Sequence, residues 1–235
     1  MGRSFLLVGA TNAGKTLFAV NFAAYLGARD LRLRRLALVP SRERPGGDRI
    51  EATGIGSGIG VGGGSGAGPG AGGEASSKMP FDVARRTLVG PEPYKTRDLA
   101  AIDLELSVGK GRQGFSVVDS AGLAEHIHGD ADVRKGMAQT IGALLRADVV
   151  LHVIDAARVG EDGPALGLGR IDYEVARYAR LRPRYLVLAN KMDLPEADRG
   201  LGVIREAFGR DRVVPVSALT MRGFREVRAG VRRLL

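Results

Sequence analysis

The chain has 235 residues, which fits one α/β domain with some excess and is long enough to bury a real core. Apolar residues make up 44% of it, as in soluble globular proteins, and the absence of cysteine excludes disulfides and thiolate metal sites and suits a reducing cytoplasm. The net charge of +9 and pI near 10.3 suggest an anionic partner such as RNA or a membrane surface, although arginine far outnumbers lysine and Ala, Gly, Leu and Val abound, as in any protein of a GC-rich genome.

Phe5–Val8 is a short apolar run ending in a glycine loop, and Leu17–Leu26 follows with helical spacing, so the chain opens as strand, loop, helix. With Arg3 this run imitates a signal peptide, but it is too short and Thr11–Thr16 breaks it with polar residues. Gly2 invites myristoylation, yet Leu6 stands where that motif wants Ser or Thr. Leu31–Val39 is a further strand or the end of an extended connection. Residues 52–73 are dominated by glycine, with almost nothing to bury. Such a stretch cannot offset its ordering entropy and is expected to be a flexible linker. It reads as an insert within one domain, because the motifs on either side belong together.

Order returns near Phe81. Leu99–Val108 alternates polar and apolar, Gly109-Lys110-Gly111 is a turn, and Phe115–Val118 completes a hairpin. Ala131–Leu145 is an amphipathic helix, and Val149–Ile154 is a continuous apolar strand of the kind buried in parallel sheets. Asp172–Leu181 reads as helix, Tyr185–Ala189 as strand, Gly202–Phe208 as helix, Val213–Val216 as strand, and Phe224–Leu235 as a last helix. No apolar run reaches the length of a membrane span. The alternation predicts a single α/β domain over residues 1–235. Its sheet should be doubly wound, mostly parallel and six-stranded, with helices on both faces.

Gly9-Ala10-Thr11-Asn12-Ala13-Gly14-Lys15-Thr16 fits GxxxxGK[ST] between a strand and a helix, the context a P-loop requires. Its glycines let backbone N–H groups curl around phosphate oxygens, and the helix N-terminus adds positive potential. Phosphates would lie against Asn12, Ala13, Gly14, Lys15, Thr16 and Leu17, with Lys15 reaching the β- and γ-phosphates and the Thr16 hydroxyl ligating Mg²⁺. Asn190-Lys191-Met192-Asp193 follows a buried strand, on a loop at the carboxyl end of the sheet. There Asp193 can accept from the N1–H and N2–H₂ edge of guanine, which adenine lacks, Lys191 can lay its stem along the base, and Asn190 can tie the loop to the P-loop. Asp119-Ser120-Ala121-Gly122 ends the strand Phe115–Val118. Asp119 can hold Mg²⁺ through water, and the Gly122 N–H can sense the γ-phosphate. Ser217-Ala218-Leu219 follows the strand Val213–Val216, where its backbone could contact the guanine carbonyl oxygen. The expected ligands are therefore GTP or GDP with Mg²⁺.

In this order, P-loop, DSAG, NKMD and SAL, the chain resembles the translation-factor-related class of small GTPases, with a Ras-like G domain, and within it the Era and TrmE group. Asn12-Ala13-Gly14-Lys15 matches the TrmE P-loop, Lys95-Thr96-Arg97-Asp98 resembles the TTRD switch I segment, and Ser217-Ala218-Leu219 before Gly223-Phe224 resembles the Era pattern. The resemblance covers the chain except its glycine-rich stretch.

The resemblance implies that Thr96 ligates Mg²⁺ and reads the γ-phosphate; the plain alternative is a strand-edge threonine. Asn12 matches the asparagine that helps TrmE-like GTPases bind an activating K⁺; a loop-stabilising role fits equally. Catalysis would rest on Lys15, Thr96 and Gly122, and the metal on Thr16, Thr96 and Asp119. Leu123 stands where Ras-like proteins carry a water-positioning glutamine, so either another element positions the water or turnover is very slow without a partner. His126 and His128 follow in the expected switch II; one could hold the water, but they read mainly as solvated residues. Era carries a C-terminal RNA-binding domain and TrmE large flanking domains, neither of which is expected here, so their specific activities do not transfer. About eighty positions separate Thr16 from Thr96, more than the group usually has. The expected function is a slow, Mg²⁺-dependent GTP switch in the cytoplasm, acting on an effector protein or through a nucleotide-dependent dimer. A binding module with negligible hydrolysis and a ribosome- or RNA-associated assembly GTPase are the rivals.

Overall fold

The computed structural model describes residues 3–28, 31–35, 76–90, 99–108, 111–123, 129–180 and 184–234. The glycine-rich stretch 52–73, Thr96, His126 and His128 lie outside the described residues.

Along the first strand, β1 (Arg3–Val8), Phe5 and Leu7 join one buried cluster and Leu6 and Val8 another. A strand with both faces enclosed lies between two layers, which is why it reads as an apolar run and not as alternation. Parallel neighbours flank it: β5 (Gly111–Asp119) on one side and β6 (Val149–Asp155) on the other. Beyond β6 come β7 (Tyr185–Asn190) and β8 (Val213–Pro215), also parallel. On the far side of β5 the pairing turns antiparallel through β4 (Ala100–Val108), β2 (Leu31–Arg35) and β3 (Ser76–Met79).

The sheet therefore has eight strands, in the order β3-β2-β4-β5-β1-β6-β7-β8, and not the expected six. The two beyond six are β2, left open in the sequence between a strand and an extended connection, and β3, Ser-Ser-Lys-Met, which has neither apolar alternation nor β-branched residues. Strand β3 exists because its backbone pairs with β2, from Leu31 opposite Met79 to Arg34 opposite Ser76. That partner stands across the whole glycine-rich stretch in sequence.

Two helical layers cover the sheet, as a doubly wound fold requires. Helices α1 (Lys15–Tyr25), α2 (Phe81–Leu88) and α7 (Phe224–Leu234) pack on the Phe5 and Leu7 face. There Phe224 meets the rings of Phe18 and Phe22 edge-on, with centroids 5.1 and 5.5 Å apart. Helices α3 (Ala131–Arg146), α4 (Ala156–Leu166), α5 (Arg170–Arg180) and α6 (Ala197–Phe208) pack on the Leu6 and Val8 face. The reading of periodicity misses α2 and α4. Helix α4 contains Gly160, Gly163 and Pro164, poor helix formers, and it breaks at Gly163 (φ 75°). Backbone contact with α6 supports it: a Cβ on Gly160 would stand 1.9 Å from the Glu196 carbonyl oxygen, and one on Gly200 would stand 1.8 Å from that of Ala156.

Within the apolar run of β6, before Asp155 at its end, stands His152, which is fully buried. Its Nε2 lies 3.0 Å from Asp172 Oδ1 on α5, and its Nδ1 lies 3.0 Å from the Tyr185 hydroxyl on β7. Among the described residues, no helix is long and apolar enough to cross a membrane. The carboxyl ends of β1, β5, β6, β7 and β8 share one edge, so the loops that follow them gather there, where open α/β sheets bind ligands.

Candidate nucleotide site

Strand β1 ends at Val8 and α1 starts at Lys15, which leaves Gly9–Gly14 to turn the chain. Gly9, Asn12 and Gly14 have positive φ, at 150°, 61° and 92°. A Cβ on Gly9 would come within 2.1 Å of the Val153 carbonyl oxygen, and one on Gly14 within 2.3 Å of the Asn190 amide, so both positions demand glycine. The Lys15 ammonium is enclosed and donates to the carbonyls of Ala10 at 2.8 Å and Gly9 at 3.2 Å. Burial pulls its pKa down to about 8, against the opposing charges of Asp119 and Asp172. Anionic phosphate oxygens are better acceptors for it than two neutral carbonyls.

Strand β5 delivers Asp119 to the same place. The Thr16 hydroxyl donates to Asp119 Oδ2 at 2.6 Å, while Asp119 Oδ1 is buried with no hydrogen-bond partner among the described residues. Burial raises this carboxyl to about 6, opposed by the Thr16 hydrogen bond and the Lys15 charge. An orphaned carboxylate oxygen beside a hydroxyl suits a hard, oxygen-liganded cation. Among the described residues no group of three or more His, Asp or Glu side chains is placed to hold a metal by itself. A cation here would complete its shell with phosphate oxygens and water, the habit of Mg²⁺.

The segment after Asp119 is laced to the P-loop. The Leu123 N–H donates to the Gly9 carbonyl at 3.2 Å, and Ala10 bridges Leu123 in parallel. Gly122 sits so close that a Cβ would stand 2.7 Å from both the Cα and the Oγ1 of Thr11. The Leu123 side chain is buried in the core beneath. Ser120 anchors the turn by donating to the Leu7 carbonyl at 2.6 Å.

At the other end, Asn190 is a buried strut. Its Nδ2 donates to the Ala13 carbonyl at 2.8 Å, and its Oδ1 accepts from the Ala218 N–H at 2.8 Å. The Ala218 carbonyl in turn accepts from Asn21 Nδ2 at 2.6 Å. Ser217 is buried and donates to Asp193 Oδ1 at 2.5 Å, which orients a carboxylate on an exposed residue. Lys191 has positive φ (67°), and its ammonium lies 2.5 Å from Asp155 Oδ2. Leu17 packs half-buried on the core, and Leu219 is exposed on its loop.

This arrangement has relatives. The model of a family described as 50S ribosome-binding GTPase matches residues 82–191. The tRNA modification GTPase MnmE of Symbiobacterium thermophilum is 38% identical over 149 residues, covering 63% of this chain and 29% of that protein. The GTPase Obg of Shouchella clausii is 33% identical over 135 residues, covering 56% of this chain and 30% of that protein. Among solved structures, an Era variant of Aquifex aeolicus bound to GDP and aluminium fluoride superposes with a TM-score of 0.60 at 18% identity, over 100% of this chain and 57% of that one. The chain therefore has the fold of an Era-like G domain and is similar in sequence to these GTPases. It spans about a third of the length of the curated relatives named here.

The matched span includes Asp119, Gly122, Asn190 and Lys191 but not the P-loop, which stands before the glycine-rich stretch. Folding of the G domain reunites them, Thr16 with Asp119 and Ala13 with Asn190. Lys15, Thr16, Asp119 and Gly122 thus gather at one end, and Asn190, Lys191, Asp193 and Ser217–Leu219 at the other. Asn12 is exposed on the P-loop between β1 and α1. Sequence reasoning misses Asn21 and Asp155. A lone amide in the apolar helix Lys15–Tyr25 was the available signal for the first. For the second it was a carboxylate at the carboxyl end of a buried strand.

Proposed function

We propose that this G domain binds GTP with Mg²⁺ and hydrolyses it slowly, as a conformational switch in the cytoplasm. The observation that carries the reading is the Thr16–Asp119 pair, with its orphaned carboxylate oxygen, beside the buried Lys15 ammonium. In this reading the loop from Asn12 to Leu17 wraps the phosphates, and Lys15 neutralises the β- and γ-oxygens. Mg²⁺ is held by Thr16 and Thr96, with Asp119 acting through water, and it supplies charge neutralisation on the triphosphate. The Gly122 N–H reads the γ-phosphate, which couples it to switch II. Asp193 selects guanine, oriented by Ser217, while the backbone of Ser217–Leu219 faces the guanine carbonyl oxygen. Because Ala218 already gives its N–H to Asn190, Leu219 supplies the donor.

Asn12, exposed with positive φ, supports a role in holding K⁺ at the phosphates, where the cation would offset charge on the β–γ bridging oxygen. Phosphate release at saturating GTP tests both readings. It should require Mg²⁺, run faster in K⁺ than in Na⁺ at equal ionic strength, and lose that difference in Asn12→Ala. Equal rates in the two salts would leave Asn12 a structural loop residue.

A second reading, a binding module with negligible hydrolysis, draws support from Leu123, whose buried side chain cannot orient water. Tight GTP binding with no phosphate release in either salt would favour it. The matched family is described as ribosome-binding, and one Era neighbour was solved with 16S ribosomal RNA. Arg222, Arg225, Arg228, Arg232 and Arg233 on and before α7 stand against Glu226 alone and give that segment a basic character. Cosedimentation with ribosomal subunits in the GTP-analogue and GDP states tests an RNA partner.

A further inference from the structure

Thr11 is the third residue of the P-loop, and none of the roles above uses its side chain. Its Oγ1 is shielded from solvent and has no hydrogen-bond partner among the described residues. A buried hydroxyl left unpaired costs stability, and native structures keep few of them without a use. The hydroxyl also has a definite address. It faces Gly122, where an added Cβ would stand 2.7 Å from it. Gly122 is the residue whose N–H reads the γ-phosphate in the reading above. Meanwhile Leu123, the next residue, turns its side chain into the core, so it brings no polar group to this place.

We propose that the Thr11 hydroxyl is the water-positioning side chain of this G domain. It accepts a hydrogen bond from the attacking water on the γ-phosphate side of the P-loop. The proposal rests on the reading that the chain hydrolyses GTP. In that reaction the water oxygen forms a bond to the γ-phosphorus as the bond from phosphorus to the β–γ bridging oxygen breaks. The electron pair leaves with GDP, and the protons of the water remain with inorganic phosphate or pass to solvent. Thr11 gains and loses no proton. It acts by orientation, which is the main task left to protein groups in phosphoryl transfer. The lacing of Leu123 to Gly9 and Ala10 holds Thr11 and Gly122 together, so the orienting acceptor and the γ-phosphate donor keep a fixed relation.

Thr11→Val is the test, because it replaces the hydroxyl with a methyl group of similar shape, and Thr11→Ser is its rescue. Single-turnover hydrolysis, GDP affinity and the affinity for GDP with aluminium fluoride, a transition-state mimic, are measured for all three proteins. The expected result for Thr11→Val is hydrolysis slower by roughly 10- to 100-fold, in line with removal of one group that acts mainly in the transition state. Its binding of the mimic should weaken in step, GDP affinity should stay within about twofold, and Thr11→Ser should recover most of both losses. A Thr11→Val protein that hydrolyses and binds the mimic like wild type overturns the proposal while the hydrolytic reading stands. So does one whose GDP affinity falls as far as its rate, since that marks a structural role in the loop. A wild-type protein that binds GTP and releases no phosphate overturns the hydrolytic reading and the proposal with it.

Discussion

Asn190 and Gly14 share one small space: the Asn190 Nδ2 lies where a Cβ on Gly14 would come within 2.3 Å, and it spends its hydrogen bond on the neighbouring Ala13 carbonyl. The amide therefore clamps the P-loop to the loop that follows β7. Asn190→Ala removes that bond and the one from the Ala218 N–H, leaving buried groups that cost roughly 1–3 kcal/mol each when unpaired. Both the melting temperature and GDP affinity should fall, measured by thermal unfolding and calorimetry. Gly14→Ala should lose GDP affinity by the same route. Either variant with wild-type affinity would contradict the clamp.

Asp193 should select the base. Wild type should bind GDP far better than ADP, and Asp193→Asn should shift preference toward xanthine nucleotides, whose base carries a carbonyl where guanine has an amine. Competition binding with GDP, ADP and XDP reads the outcome directly. Equal wild-type affinity for ADP and GDP rules out the guanine assignment.

In the proposed site, Lys15→Ala removes a charge-assisted contact to the phosphates. At about 1.5–3 kcal/mol for such a bond, GDP affinity should fall by roughly tenfold or more. Because Lys15 is buried and pulled toward neutrality, its loss should not lower the melting temperature of the nucleotide-free protein by a matching amount. Normal GTP binding by Lys15→Ala would refute the phosphate site.

Nucleotide binding should be strongest between pH values of about 6 and 8. Phosphate binding needs the Lys15 ammonium, whose free-state pKa burial lowers to about 8, so affinity is lost as pH rises past that point. In the proposed site Mg²⁺ coupling needs the ionised Asp119 carboxylate, whose free-state pKa burial raises to about 6, so affinity for the Mg²⁺ complex should be lost as pH falls below it. Each limb should approach a tenfold loss per pH unit. In Asp119→Asn the acid limb should vanish, and an unchanged acid limb would dissociate it from Asp119.

The buried His152 should matter mainly for stability. Asp172→Ala leaves His152 Nε2 without its partner and should destabilise the fold by roughly 1–3 kcal/mol, lowering the melting temperature by several degrees. GDP affinity should change less than stability, since Asp172 bonds directly to His152 and its influence on Lys15 is through charge alone. A loss of affinity larger than the loss of stability would tie this pair to the site.

The motifs could be read in the sequence because their chemistry is local. A P-loop needs its glycines, lysine and threonine within one turn, and Asp193 lies within the loop that follows its strand. The double layering could be read because Phe5–Val8 and Val149–Ile154 are apolar without alternation, which only a strand buried on both faces requires. Local pattern fails where partners are distant. Strand β3 has no signal of its own and takes its structure from β2 through the backbone ladder. Helix α4 contradicts its own propensity and stands on glycine-to-backbone contact with α6.

Residue type and spacing alone placed Lys15, Thr16, Asp119, Asn190 and Asp193 in loops at the ends of strands. Tertiary structure decided how those groups constrain one another: Asn190 against Gly14, Asn21 on Ala218, Thr11 against Gly122, Lys191 toward Asp155. Each of these relations joins residues distant in sequence, through a hydrogen bond, an ion pair or a close approach of a few ångströms. Such geometry arises only when the strands stack in one order, so it has no trace in the spacing of any single motif.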